Sequence, residues 1–251
     1  FGTVSLLNHL ESKGFSDEVY ALFKKSLEAL AFLQIKGDEG LNYADYCLTN
    51  QEFGKQAIMA DLLYFKYYFL DALRKPYDKQ KLIADFEALS NYLTHTEYKY
   101  FMFRDFQSRN IMVTDDNAVH FIDYQGGMKG APQYDVASML WQARANLPDE
   151  WKNNLLEDYM ASFEKIIGQS IDKNIFRSQY YGYVLIRLLQ VLGAYGFRGL
   201  FERKAQFLTS IPLALNNLKD FLKNQSLGIS VPEFRKVLDM CLADEVIQQF
   251  T

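Results

Sequence analysis

The residues most able to do chemistry are two aspartates and an asparagine near the middle of the chain. Asp105 and Asn110 are five positions apart, and Asp123 follows thirteen positions after Asn110. Phosphoryl transfer needs a carboxylate that orients the attacking hydroxyl and oxygen ligands that hold Mg²⁺ against the phosphates. These three residues would supply that set. Their spacing equally fits two solvated loop carboxylates and a turn-forming Asn, because both residue types make local hydrogen bonds in loops.

The sequence around these residues predicts a small β-hairpin that is fed by a loop. Short apolar runs at 111–113 and 119–122 flank turn-forming residues at 114–117, which is typical of two paired strands. Asn110 lies just before the first strand and Asp123 just after the second. The hairpin would therefore bring them side by side, as two ligands of one hard cation require.

The rest of the chain predicts helices. Ser16 is expected to begin one of them, because apolar residues at helical spacing follow it, and Gly37 lies at its expected end. With the hairpin and a further apolar run at 100–103, the fold class is α+β and mostly α. The other expected helices cover 56–74, 78–95, 135–146, 149–167, 174–195, 203–223 and 231–242.

Composition favours a cytoplasmic globular enzyme. The chain has 251 residues, of which 49% are hydrophobic, so it can bury a sizeable core. Its 27 Lys and Arg against 31 Asp and Glu argue against a nucleic-acid or membrane-surface partner. The most apolar stretch, 180–201, is interrupted by polar residues and favours a buried helix over a membrane span. Cys47 and Cys241 lack metal or redox spacing and indicate reduced thiols; no particular protein partner is indicated.

Two segments of the chain resemble a known superfamily. Residues 103–110 and 121–125 resemble the catalytic and metal loops of the aminoglycoside phosphotransferase and choline kinase superfamily, whose members are related to the protein kinases. Within it, they are most similar to bacterial kinases that phosphorylate the anomeric hydroxyl of N-acetylmuramic acid and N-acetylglucosamine. Weaker similarity extends over nearly the whole chain, through 62–65, 68–70, 131–140 and 185–193.

The resemblance implies an ATP- and magnesium-dependent small-molecule kinase. Asp105 would orient the acceptor hydroxyl and accept its proton, while Asn110 and Asp123 would hold magnesium. The partners would be a nucleotide and a small-molecule acceptor. The resemblance further implies nucleotide contacts from Met112 and Ile122, substrate contacts from Gln107, Arg109, Asp61, Arg187 and Gln190, and structural roles for Asp135 and Arg104.

Several of these assignments have a second interpretation. Arg109 fits an exposed salt bridge as well as a substrate contact. Arg187 and Gln190 fit a buried structural hydrogen bond, because polar groups in an apolar helix need partners. Asp135 is expected to cap the helix that it begins, and the equivalent family residue also tethers the catalytic loop.

Three positions depart from the family pattern. Phe103 stands where the family usually has His, Gln107 where the sugar kinases usually have a second His, and Gly126 where they often carry an acid. An aromatic residue at 103 can brace the loop as the His does. The other two departures lie near the expected substrate and second-metal positions, so they affect the expected acceptor more than the reaction type.

The resemblance also predicts where the chain stands in the family fold. Residues 1–10 resemble the hinge between the two lobes, so the chain is expected to be the carboxy-terminal lobe and to be inactive by itself. A Gly-rich phosphate loop and a phosphate-binding Lys belong to the amino-terminal lobe. The glycines at 193–199 follow an apolar helical run and are expected to end that helix, since a phosphate loop follows a strand.

Other functions remain open. A kinase of the same fold could act on aminoglycosides or choline, although the helices after Asp135 carry no dense run of Asp and Glu for a cationic acceptor. A degenerate kinase could serve as a binding or regulatory module, as Phe103 would allow. The intact set of Asp105, Asn110 and Asp123 argues against that role. A plain helical scaffold would not bind magnesium.

Overall fold

The computed structural model describes residues 4–47, 50–225 and 227–250, and it confirms an α+β fold that is mostly α. The hinge-like residues 1–3 lie outside the described part. The strands are β1 (Val4–Ser5), β2 (Tyr100–Met102), β3 (Ile111–Val113), β4 (Val119–Phe121) and β5 (Met128–Gly130). The helices are α1 (Leu6–Lys13), α2 (Asp17–Asp38), α3 (Tyr43–Tyr46), α4 (Lys55–Phe65), α5 (Lys79–Thr94), α6 (Gln133–Leu140), α7 (Asp149–Ile167), α8 (Lys173–Tyr195), α9 (Ala205–Leu208), α10 (Ile211–Asn224), α11 (Pro232–Cys241) and α12 (Asp244–Ile247).

The backbone divides into two compact units. The first comprises Phe1–Phe53 and Glu97–Arg177, and the second comprises Gly54–Thr96 and Ser178–Thr251. The hairpin and all of the sheet residues belong to the first unit. Its core lies between α2 and α7, and its buried side chains include Leu22, Phe23, Leu27, Leu30, Leu156, Tyr159 and Phe163.

Helix α2 begins where the sequence predicts. The Ser16 hydroxyl accepts a hydrogen bond from the Val19 amide at 3.4 Å, and Asp17 and Glu18 occupy the first turn. Acidic residues at this end suit the helix dipole. The helix continues one residue past its expected end at Gly37. A long helix with a cap and a regular apolar stripe is therefore predicted correctly from this sequence.

The predicted hairpin is confirmed, and it belongs to a slightly larger sheet. β3 pairs antiparallel with β4, so that Ile111 lies opposite Phe121, and β1 adds to the other edge of β3. β2 instead pairs with β5 in a separate two-stranded sheet. Neither β1 nor β5 was predicted, because two or three residues are too few to show a strand period.

The segment expected to be helical over 56–74 is helical over nearly all of that length, but its second half is not α-helix. α4 ends at Phe65, and a π-helical turn at Lys66–Leu70 and a 3-10 turn at Asp71–Leu73 follow. A second π-helical turn, Gly196–Phe201, follows α8 and packs against the first. A Cβ on Gly196 would overlap the carbonyl oxygen of Tyr68. The glycine therefore permits a close backbone approach, and π turns of this kind reposition a helix locally.

Two other helices differ from their expected extents. The segment over 203–223 is two helices, α9 and α10, because Pro212 lies in the first turn of α10. Proline lacks an amide donor and suits a helix start better than an interior. The helix over 135–146 is α6, which begins two residues earlier and ends at Leu140.

The most apolar helical segment has the length and composition of a membrane span. It covers Lys173–Phe201, and 56% of its most apolar window is buried inside the protein. Arg187 in its middle is buried as well. Burial of this kind is found in the core helices of globular proteins, which pass the same length and composition test.

Replacing Gly196 with Ala should destabilise the protein by about 1–3 kcal/mol, because the new methyl group has no room against Tyr68. Gly37→Ala is the matched control. A Cβ on Gly37 would lie 3.6 Å from Leu33 and 3.8 Å from Phe101, both ordinary contacts, and Ala favours a helix. Urea unfolding measures both variants. Equal unfolding free energies for the two would contradict the close approach at Gly196.

Candidate functional site

The loop that carries Asp105 begins at a strained turn after β2. Arg104 has a φ of 78°, a backbone conformation that residues other than glycine rarely adopt. The buried carboxylate of Asp135 holds this turn. Its Oδ2 accepts the Phe103 amide at 2.8 Å, and its Oδ1 accepts the Arg104 amide at 2.7 Å. Asp135 therefore fixes the direction of the backbone immediately before Asp105.

The expectation that Asp135 caps a helix is wrong. α6 begins at Gln133, with Pro132 in the N-cap position, and Asp135 lies inside the first turn. The fixed φ of proline suits a helix start. The Asp135 carboxylate therefore caps no helix. It accepts hydrogen bonds from the catalytic loop instead, which is the tethering role that the resemblance implies.

The Asp105 carboxylate is held on both oxygens and is partly open to solvent. Gln107 Nε2 donates to Oδ1 at 2.7 Å, and a guanidinium nitrogen of Arg109 lies 3.7 Å from Oδ2. The Asp105 side chain is 30% exposed, so a small molecule can reach it. Arg109 thus makes the exposed salt bridge considered as its alternative. Gln107 contacts the candidate base directly.

Asn110 is oriented by its own backbone loop. It ends the 3-10 turn Ser108–Asn110. Its backbone amide donates to the Gln107 backbone carbonyl at 2.8 Å, and its side-chain Nδ2 donates to the Asp105 backbone carbonyl at 3.0 Å. These bonds fix which way the side-chain amide faces. The oxygen Oδ1 is then the atom that Asn110 can offer to a cation.

Gln142, just after α6, is a loop contact that the sequence did not predict. Its Oε1 accepts both the Ser108 amide at 3.0 Å and the Ser108 hydroxyl at 2.6 Å. The contact joins residues that are 34 positions apart. A glutamine next to a short helix gives no local signal of such a partner.

The hairpin pairs Asn110 with Ile122, the residue that precedes Asp123, whereas the sequence predicts Asn110 and Asp123 side by side. The Ile122 amide donates to the Asn110 carbonyl at 3.0 Å, which extends the β3–β4 ladder by one pair. Asp123 follows with a φ of 60° and is exposed. A left-handed residue here turns the chain out of the strand. The register therefore places residues Asn110 and Asp123 at the same end of the hairpin.

These donors fit a magnesium ion. Mg²⁺ is usually bound by one or two side-chain oxygens together with waters and substrate phosphates. Asn110 and Asp123 would provide two such oxygens. Among the described residues, no group of three or more His, Cys, Asp or Glu is arranged to hold a metal.

The aromatic residues around the loop brace it by packing. Phe103 is buried, and its ring centroid lies 5.8 Å from that of Phe106, 6.3 Å from Phe121 and 5.4 Å from Tyr124. Phe103 thus braces the loop, as expected of an aromatic residue in the place of His. Arg104 lies over the ring of Phe53 at 5.7 Å, a structural contact.

The position at 126 has room for a side chain. A Cβ on Gly126 would lie 3.7 Å from Arg104 Cδ, an ordinary contact. The space around the Cβ position therefore does not require a glycine there.

The two nucleotide candidates lie on the hairpin sheet. Met112 is half-buried in β3, and Ile122 directly follows β4 with 39% of its surface exposed. An exposed isoleucine beside a half-buried methionine can offer an apolar surface to a flat base. Their contact with a nucleotide stays a prediction.

The remaining substrate candidates belong to the second unit. Asp61 is buried on α4, and Arg187 is buried on α8. Arg187 donates to Gln190 Oε1 at 2.6 Å, one helical turn away. This is the structural hydrogen bond considered above for the pair. Their contact with a substrate also stays a prediction.

Comparison with known proteins gives a family and a fold. Residues 13–166 match the model of a phosphotransferase enzyme family, APH, and this stretch contains Asp105, Asn110, Asp123 and Asp135. No curated protein matches. A choline kinase from Cryptosporidium parvum Iowa II matches with a TM-score of 0.54 and 11% identity, over 100% of this chain and 73% of that chain. The choline kinase LicA from Streptococcus pneumoniae gives 0.45 and 12%, over 81% and 65%. With the family model covering more than half of its length, this chain belongs to the phosphotransferase enzyme family.

Proposed function

We propose that the protein is a cytoplasmic kinase that transfers a phosphoryl group from ATP, with magnesium, to a hydroxyl group of a small molecule. Family membership supports the reaction class. The observation that carries the proposal is the fixed Asp105 carboxylate, which accepts a hydrogen bond from Gln107. Asp135 tethers its loop, and Asn110 Nδ2 donates to the Asp105 backbone carbonyl. Phosphoryl transfer depends mainly on such positioning.

Asp105 would orient the acceptor hydroxyl and accept its proton. The hydrogen bond from Gln107 and the ion pair with Arg109 orient the carboxylate, while its exposed portion can receive the hydroxyl. A base held in one orientation avoids reorganisation when the acceptor arrives. Gln107 and Arg109 would also be the first-unit residues nearest to the acceptor.

Asn110 and Asp123 would hold magnesium through their side-chain oxygens, and Met112 and Ile122 would contact the nucleotide base. When bound, the metal would neutralise charge on the phosphates. The rest of the contribution of these residues is geometric. The β3–β4 ladder and the Asn110 hydrogen bonds hold Asn110 and Asp123 at one end of the hairpin before a metal or nucleotide binds.

We propose an N-acetylated amino sugar as the acceptor. The loop resemblance supports this class, as do the polar groups of Gln107 and Arg109 beside the base. The guanidinium of Arg109 lies 3.7 Å from Asp105, so the two charges largely offset each other and give a cationic acceptor such as choline no strongly anionic site. The related choline kinase shares the fold at 11% identity, a likeness that carries no argument about the acceptor.

We also propose that these residues form the carboxy-terminal lobe of a kinase-like fold. The 251-residue chain by itself would then transfer phosphate at a negligible rate. The family places a Gly-rich loop and a phosphate-binding Lys in the other lobe. Activity assays should therefore use the full reading frame that contains this sequence.

The acceptor test is a coupled nucleotide-release assay across N-acetylmuramic acid, N-acetylglucosamine, free hexoses, choline and a kanamycin-type aminoglycoside. We expect the best N-acetylated sugar to exceed choline by at least about a hundredfold in kcat/KM, because a site that hydrogen-bonds polar groups strongly rejects acceptors without them. Preference for a cationic acceptor would overturn the amino-sugar assignment only. Magnesium-nucleotide binding without transfer to any acceptor would favour a regulatory module and overturn the kinase proposal.

A further inference from the structure

A continuous chain of hydrogen bonds lies behind Asp135 in the first unit. The Tyr159 hydroxyl of α7 donates to Gln34 Oε1 of α2 at 2.5 Å, and Gln34 Nε2 donates to Asp135 Oδ2 at 3.0 Å. Tyr159, Gln34 and Asp135 are all completely buried. Asp135 in turn accepts the Phe103 and Arg104 amides. This chain of hydrogen bonds therefore runs from the centre of the core to the backbone beside Asp105.

The direction of each hydrogen bond follows from the groups present. Burial, with a further contribution from the charge of Asp135, raises the pKa of Tyr159 well above its usual value of 10, so the phenol keeps its proton at neutral pH. A protonated hydroxyl beside Gln34 selects the amide oxygen as its acceptor. The amide nitrogen donates to the Asp135 carboxylate and to the Pro132 carbonyl at 3.2 Å, and these two acceptors require the same orientation of the amide.

Without the Tyr159 hydroxyl, Gln34 Oε1 would lose its hydrogen-bond donor inside the core, while Nε2 would still face the Asp135 carboxylate and the Pro132 carbonyl. The Gln34 side chain would then be anchored at one end of its amide only. A buried acceptor left unsatisfied is costly. We expect the carboxylate to shift in response, and its bonds to Phe103 and Arg104 to weaken.

The far end of this chain lies at the strained backbone of the loop. Arg104 has a φ of 78°, and such a conformation persists only where the surrounding structure holds it. Core filling alone would not require this arrangement, because apolar side chains of similar volume fill buried space without polar groups to satisfy. The polar chain is accounted for by the turn that it supports.

We propose that Gln34 and Tyr159 are positioning residues of the catalytic loop, which act through Asp135 to set the place of Asp105. The inference rests on the proposed phosphotransferase activity for its functional consequence. Its structural part, the hold on residues 103–105, stands apart from that activity. Both parts can be measured in the same variants.

The experiment compares Tyr159→Phe and Gln34→Met with Tyr183→Phe in the full reading frame. Tyr183 is a matched control, because its buried hydroxyl also donates a hydrogen bond, to the Leu93 carbonyl at 2.8 Å, within the second unit. Hydrogen–deuterium exchange of the peptide over 101–110 is the first readout. We expect it to quicken at least about tenfold in Tyr159→Phe and Gln34→Met, and to stay unchanged in Tyr183→Phe.

Steady-state kinetics are the second readout. We expect Tyr159→Phe to lower kcat by about ten- to a hundredfold with each KM within about twofold, since misplacement of a catalytic group affects the chemical step. The double variant Gln34→Met with Tyr159→Phe should lower kcat no further than Gln34→Met alone, because the hydroxyl acts through the amide. A merely structural role would lower the unfolding free energy of the variants and leave kcat unchanged in each of them.

Loop exchange and kcat that are unchanged in Tyr159→Phe, with a loss of stability like that of Tyr183→Phe, would overturn the inference. Failure of the proposed function has a different signature. The unmodified protein would then transfer no phosphate, while the exchange measurement would still decide whether Gln34 and Tyr159 hold the loop.

Discussion

Replacing Asp105 with Asn should lower turnover by about two to four decades, the usual scale for a general acid or base. The substituted amide has nearly the same shape, and its oxygen can still accept from Gln107 Nε2, now 2.7 Å from Asp105 Oδ1. It cannot accept a proton from the acceptor hydroxyl. Because Asp105 is not among the proposed metal ligands, nucleotide affinity should stay nearly unchanged. Steady-state kinetics and calorimetric titration with ATP and magnesium measure the two quantities.

Asp115→Asn provides the control for this variant. Asp115 lies exposed in the turn of the hairpin that follows the Asp105 loop, and the substitution removes the same charge from a neighbouring segment. We expect its turnover to match the unmodified protein. If Asp105→Asn weakened only the binding of nucleotide and left turnover at saturation intact, its assignment as the base would be wrong.

Replacing Asp123 with Asn should weaken magnesium-nucleotide binding and turnover together. The change removes the only negative charge among the two proposed ligands, and hard cations prefer charged oxygen donors. We expect at least about a tenfold loss of magnesium affinity, since even residues that only support metal ligands commonly contribute that much. The backbone should tolerate the change, because Asp123 has a φ of 60° and Asn adopts this conformation readily.

Titration of activity with magnesium separates the two aspartates. Higher magnesium should restore part of the turnover of Asp123→Asn and none of the turnover of Asp105→Asn. Unfolding free energies of both variants should stay near that of the unmodified protein. An unchanged magnesium requirement in Asp123→Asn would remove Asp123 from the metal site.

The local geometry of the site could be predicted because the information for it is local. Turn-forming residues between two short apolar runs set the hairpin, and the hairpin register then places Asn110 beside Ile122 and Asp123. The role of Asp135 could not be derived in the same way. Its position near a helix start indicates a cap, while its actual partners are amides 31 and 32 positions away. Only the tertiary fold determines which partner it takes.

The regular helices were similarly predictable, and their interruptions were not. α7 covers 149–167 as expected, because its apolar period and its flanking Pro148 and Gly168 mark both ends. The π-helical turn at Lys66–Leu70 packs against the segment that follows α8, where Gly196 allows the close approach. A glycine in an apolar helix is visible in the sequence, but the residue that it meets is not.

Gln34 is a polar residue within the apolar stripe of α2, and such a position indicates a buried hydrogen bond. It lies on the buried face of α2 beside Leu27, Leu30 and Ala31, where a polar side chain is unusual. A buried amide nearly always has a hydrogen-bond partner, so the sequence signals that a partner exists. The identity of that partner, Asp135, comes from the packing of α2 against the start of α6.

The most direct test of the site assignment is ³¹P NMR of the full reading frame with ATP, magnesium and an N-acetylated amino sugar. We expect a new phosphoester signal that requires magnesium and that falls by at least about a hundredfold in rate with Asp105→Asn. Asp115→Asn should leave the rate unchanged. Phosphoester formation that proceeds equally fast with Asp105→Asn, or that does not depend on magnesium, would contradict the assignment of Asp105, Asn110 and Asp123 as the phosphoryl-transfer site.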